Sequence, residues 1–151
     1  MNNFTPSKIP SVAEYLLDQI EKRVNNCEDK QLLDEDLLSL HSVFGTVLER
    51  ALDILEKYPV FVAYTTVNKT RTLIEIKGEN DRCYRIFPRI NYCPCQSFKH
   101  QVLERKAQIL CKHVLAGRIA QILGRITEHE VTQDQYLMLL RSMYVIDEND
   151  G

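Results

Sequence analysis

Apolar positions recur every three or four residues through the first third of the chain. They then give way to β-branched and aromatic runs, and later return to the helical period; these changes set the predicted elements. Residues 1–10 are polar, hold two prolines and read as a flexible leader. From Ser11, "SVAEYLLDQIEKRV" places Val12, Tyr15, Leu16, Gln19 or Ile20, and Val24 at helical spacing, with Ser11 and Glu14 spaced as a capping box. A second helix is predicted over Asp34–Phe44, with Leu37, Leu40, His41 and Phe44 along one side and Gly45 as its stop. Thr46 and Glu49 repeat the capping-box spacing before a third helix, Val47–Tyr58, whose face is Leu48, Ala51, Leu52 and Leu55.

Pro59 changes the period. "VFVAYTTV", "RTLIEIK" and "RCYRIF" are β-branched and aromatic, separated by "NKT" and "GEND", and predict a short antiparallel β-meander. "CKHVLAGRIAQILG" reads as a helix with Leu115, Ile119, Ile122 and Leu123 apolar, ended by Gly124. Thr132 and Gln135 fit a capping box for a last helix, Gln133–Met143, and residues 146–151 form an acidic tail. The last helix, "YLMLLRSMYVI", is apolar on nearly every side, so it must be buried, either within the domain or in part by another chain.

The chain has 151 residues, which suits one domain, here residues 11–145. No apolar run approaches the ~18 residues of a membrane span, so no membrane association is expected. The N-terminus lacks a secretory pattern, which predicts an intracellular chain with reduced thiols. The net charge of −2 is unevenly spread: residues 11–58 carry 11 acidic and 5 basic side chains, whereas residues 96–126 carry 6 basic and 1 acidic.

Three of five cysteines and two of four histidines fall within "CPCQSFKHQVLERKAQILCKHVLA", Cys93 to Ala116. The pattern is Cys-x-Cys, fifteen residues, then Cys-x-His. Cys93, Cys95, Cys111 and His113 make a complete tetrahedral Zn2+ set of the structural kind, since four good ligands leave no open position. Cys93 and Cys95 follow the third strand across Pro94, a turn-former. Residues two apart on a helix are roughly 200° apart, so Cys111 belongs at or before a helix cap and His113 in its first turn. Strand, knuckle and helix start compose a ββα zinc module over about residues 83–123, and the fold class is α+β.

The spacing resembles the SWIM zinc finger. Phe98 fits that family's aromatic beside the metal, and the Cys-x-His-x-x-Ala form, with Ala116, is similar to the SWIM subunit of Shu complexes. "DEDLLSLHSVFG", "ALDILEK" and "QILCKHVLAGRIAQIL" extend the resemblance over roughly residues 34–123. It implies a nuclear, non-enzymatic protein acting in homologous recombination and DNA repair. Such a subunit forms a heterodimer with a RecA-family recombinase paralogue, promotes recombinase filament assembly or stability, and meets single-stranded DNA mainly through the complex. The alternatives are a stand-alone zinc-dependent nucleic-acid-binding protein and a substrate-recognition adaptor. No phosphate-cradling G-x-x-x-x-G-K-[ST] loop is present.

Among the remaining candidates, Lys99, Arg105, Lys106, Lys112 and Arg118 surround the zinc module and could neutralise phosphates. Cys83 is a strand thiol and a backup ligand at most. His100 reads as solvent-facing, Cys27 as an exposed thiol, His41 as packed on the apolar side of its helix, and His129 as solvated.

Overall fold

The structure is a computed structural model and describes residues 10–77, 82–88 and 90–145. Residues 1–9 of the leader, the "GEND" connection and the acidic tail lie outside the described residues. Three helices come first: α1 (Ser11–Asn25), α2 (Asp34–Phe44) and α3 (Thr46–Lys57). The strands β1 (Phe61–Thr66), β2 (Thr72–Lys77) and β3 (Cys83–Ile86) follow. A π-helix, Phe98–Glu104, then precedes α4 (Lys112–Ile122), β4 (Ile126–Val131) and α5 (Gln133–Val145).

The fold is α+β, as expected, and β1–β3 form the predicted antiparallel meander. The sheet is nevertheless mixed, in the order β3-β2-β1-β4, because β4 joins β1 in parallel with Phe61 opposite Ile126 and Thr66 opposite Val131. β4 has no legible strand pattern: "ITEHEV" exposes Thr127 to Glu130. Its pairing with β1 supplies the hydrogen bonds that its own side chains do not advertise.

The apolar face of α1 differs from the expected one. Ala13, Leu17, Ile20 and Val24 are buried, whereas Val12 and Tyr15 are 73% and 67% exposed. The stripe Glu14, Asp18, Glu21 runs beside the buried one, and all three carboxylates reach Arg118 of α4. The buried residues are themselves spaced as a helical stripe, so the sequence offers two apolar stripes and the buried one is that beside the carboxylates that meet Arg118.

Two of the three predicted capping boxes do not form. Pro10 and Gly45 occupy the N-caps of α1 and α3, and neither helix has a side-chain cap bond. Glu14 pairs instead with Arg118 and Glu49 with His41. At α5 the box is complete: the Thr132 N–H donates to Gln135 Oε1 at 2.9 Å, and the Gln135 N–H donates to Thr132 Oγ1 at 3.2 Å. Gly45 and Gly124 end α2 and α4 at φ of 63° and 68°, a region that favours glycine.

α4 is the central helix, with His113 through Ala120 all buried. α1 and α3 cover it on one side, β2 and β3 on the other. Burying Leu115, Ile119 and Ile122 contributes about 1.5–3 kcal/mol each. Gly117 lets the helix approach the sheet, since a Cβ there would stand 2.6 Å from Ile86 Cδ1 and 3.2 Å from Ile76 Cδ1. Gly117→Ala is expected to cost about 1–2 kcal/mol by overpacking. Ile86→Val removes the nearer methyl, so the double variant should be less destabilised than the sum of the singles. Additive effects in denaturant titrations would count against this close approach.

α5 packs on the opposite face of the sheet. Ile74 and Ile76 join the core beneath α4, while Leu73 joins Tyr136 of α5. α5 is not buried all round: Tyr136 is covered, Leu139 and Leu140 are half-buried, and Leu137 and Met138 are exposed.

Candidate metal centre

β3 leads into the loop that carries Cys93 and Cys95. Cys111 is the N-cap of α4, with φ −85° and ψ 167°, and His113 lies in the first turn. A cap residue is extended while the next residues are helical, so Cys111 and His113 can face one point despite their spacing of two. The four ligand atoms lie within 4.8 Å of one another, and all four residues are buried. His113 turns Nδ1 toward the thiols, 3.8 Å from Cys93 Sγ. A tetrahedral zinc with bonds of about 2.3 Å to sulfur and about 2.0 Å to nitrogen places its donors at similar separations. The donor set and its spacing therefore fit a zinc ion.

Backbone donors brace the sulfurs. The Phe98 N–H donates to Cys95 Sγ at 3.3 Å, and the Val114 N–H donates to the Cys111 sulfur. Burial pushes the Cys93 and Cys111 thiols up. Hydrogen bonds from Cys111 and Cys93 hold Cys95 far down. Three desolvated sulfurs sharing protons in this way suit a soft dication, which takes all three as thiolates.

Neighbouring side chains hold the site's halves together. Asn91 is buried and its Nδ2 donates to the Ile109 carbonyl at 2.9 Å, tying the loop before Cys93 to the loop before Cys111. The Tyr84 ring tilts against His113 with centroids 4.2 Å apart. Phe98 is buried beside Cys95, and Tyr92 meets its edge at 5.8 Å. Ala116 is fully buried one turn beyond His113. Asn91 and Tyr84 had no signal in the sequence, because a lone polar or aromatic residue on a strand or loop reveals its partner only after folding.

Known proteins are similar to this chain along most of its length. The chain is 32% identical over 134 residues, 89% of its length, to "Zinc finger SWIM domain-containing protein 7" of Danio rerio, covering 93% of that protein. It belongs to the zinc finger SWIM domain-containing protein 7 family. Identity to the Homo sapiens protein of that name is 29% over 132 residues, covering 87% of this chain and 91% of the relative. The homologue of Dictyostelium discoideum is 25% identical over 121 residues, covering 80% of this chain and 77% of the relative. No family model and no solved structure matches the chain. For a SWIM zinc-finger chain, the Cys3His cluster is the place for the metal. Among the described residues no other group of three or more such side chains converges.

The remaining candidates are placed apart. Cys83 is half-buried on β3 outside the cluster, and Cys27 is exposed. His100 lies on the π-helix, its Nδ1 3.1 Å from Glu104, and His129 is exposed on β4. His41, expected to pack, is exposed and 3.5 Å from Glu49. Lys99, Arg105 and Lys106 are exposed, and Lys112 is half-buried. Arg118 is a correction: it is 5% exposed and lies 2.8 Å from Asp18, 3.0 Å from Glu21 and 3.6 Å from Glu14, so it cannot meet a phosphate. Facing the core, a cation is stable only where carboxylates accompany it, and α1 supplies them.

Proposed function

We propose that this chain is a non-enzymatic, nuclear accessory subunit of a Shu-type complex that promotes recombinase filament assembly or stability in homologous recombination. It holds one structural zinc at Cys93, Cys95, Cys111 and His113. The observation that carries this reading is family membership over 89% of the chain joined to a buried Cys3His cluster. Four protein donors fill a tetrahedral shell and leave no position for substrate or activated water, which supports a structural metal. The partner is a RecA-family recombinase paralogue, a reading supported by the resemblance of "CKHVLA" to the SWIM subunit of Shu complexes. Exposed Leu137 and Met138 on α5 give a protein partner apolar surface to cover.

The test is co-expression with a recombinase paralogue against expression alone. A stable, soluble heterodimer is expected, with tighter binding to single-stranded DNA than either subunit shows. A soluble monomer that ignores the paralogue and grips DNA tightly by itself would favour the stand-alone binder instead.

A further inference from the structure

A cleft of about 410 Å3 lies between α3, the end of β2 and the first turn of α4. Arg50 and Lys57 of α3, Lys77 at the end of β2 and Lys112 at the start of α4 line it. Among the described residues Asp53 is the one carboxylate on its wall. Among the described residues none of these four cations is held in an ion pair, in contrast to Arg118 with its three carboxylates. Lys57 Nζ stands 5.4 Å from the centre of the Tyr58 ring, and Tyr58 also lines the cleft.

His113 forms part of the same wall. With Nδ1 turned to the thiols, its other nitrogen lies on the opposite edge of the ring, away from the sulfurs. A metal-ligating histidine usually donates that second N–H to an oxygen acceptor. The charge balance points to an anion. A zinc dication with three thiolates carries a net −1, and Asp53 adds another, so among the described residues four cations leave two in excess.

We infer that this cleft binds the phosphodiester backbone of a single nucleic-acid strand. The cations come from three separate elements along an open surface, and the chain has no glycine-rich loop to wrap a nucleotide's polyphosphate. Tyr58 is half-buried and packed against the core with the Lys57 ammonium over its ring, so contacts to the strand's backbone rather than base stacking carry the binding. The inference deepens the proposed function and rests on it for the single-stranded ligand. Of the basic residues around the zinc module, it uses Lys112 and replaces the others by Arg50, Lys57 and Lys77.

The test is fluorescence anisotropy of a labelled oligodeoxythymidylate titrated with the zinc-loaded full chain at several salt concentrations. Removing one phosphate-binding cation should flatten the slope of log K against log salt by about 0.7. Arg50→Gln with Lys57→Gln, both exposed and distant in sequence from the metal ligands, should flatten it by about 1.4. Lys77→Gln provides an independent variant from the sheet, expected to flatten it by about 0.7. Lys99→Gln, Arg105→Gln and Lys106→Gln together should leave the slope unchanged. Flattening by that triple variant with none from the cleft variants would overturn the site. Competition by sodium triphosphate as effective as the oligomer at equal phosphate would overturn the nucleic-acid ligand in favour of a nucleotide. No binding by the wild-type chain at any salt would overturn the inference altogether. Capture of the recombinase paralogue is measured in parallel on wild type and the double variant. Failure of wild type to capture it strikes the proposed function, whereas an unaltered salt slope strikes the cleft alone.

Discussion

Cys95→Ser is expected to release the metal and loosen the region from Cys93 to Leu123. Cys95 is the sulfur toward which the Phe98 N–H and the other two thiols donate, so it holds the negative charge most readily. Serine has no comparable anion to offer. Cys93, Cys95, Phe98 and Cys111 belong to the same packed core as Leu115 and Ile119, so the damage spreads from the knuckle into the central helix. Structural zinc contributes an apparent ~10–16 kcal/mol in finger peptides, as much as the whole stability of an ordinary domain. Elemental analysis should find one zinc per wild-type chain and close to none in Cys95→Ser or His113→Ala. Hydrogen exchange should show weakened protection along α4. Full zinc retention in both variants would refute the ligand assignment.

Arg118→Met should be the most damaging change outside the metal site. It keeps the apolar volume but leaves Glu14, Asp18 and Glu21 facing the core edge without their cation. Breaking a buried ion pair from one side costs about 3–5 kcal/mol, and the lower end applies because the three carboxylates remain partly exposed. Asp18→Asn should cost much less, about 1 kcal/mol, because Glu14 and Glu21 still hold the guanidinium. Denaturant midpoints of the two variants make the comparison. Equal stabilities would show that the network contributes little and that α1 is held by its apolar stripe alone.

The Cys3His cluster was legible in the sequence because short-range chemistry specifies its members. A cysteine pair around Pro94 and a Cys-x-His pair at a helix start each form within a few residues, and few alternatives satisfy three soft thiolates and one imidazole. Gly45 and Gly124 likewise mark helix ends by local backbone preference. The α3 face followed from helical period, and the meander from β-branched and aromatic runs with turn residues between them. Tertiary structure decided what depends on residues distant in sequence. β4 exists as a strand because β1 offers it a parallel partner, not because "ITEHEV" alternates. The inward face of α1 is the one of its two apolar stripes that sets Glu14, Asp18 and Glu21 against Arg118 of the buried α4. The same burial withdrew Arg118 from solvent, while the approach of α3, β2 and α4 gathered Arg50, Lys57, Lys77 and Lys112 into one cleft. Spacing along the chain specifies hydrogen bonds and ligands that close over a few residues; charge compensation and desolvation are settled only when separate elements pack.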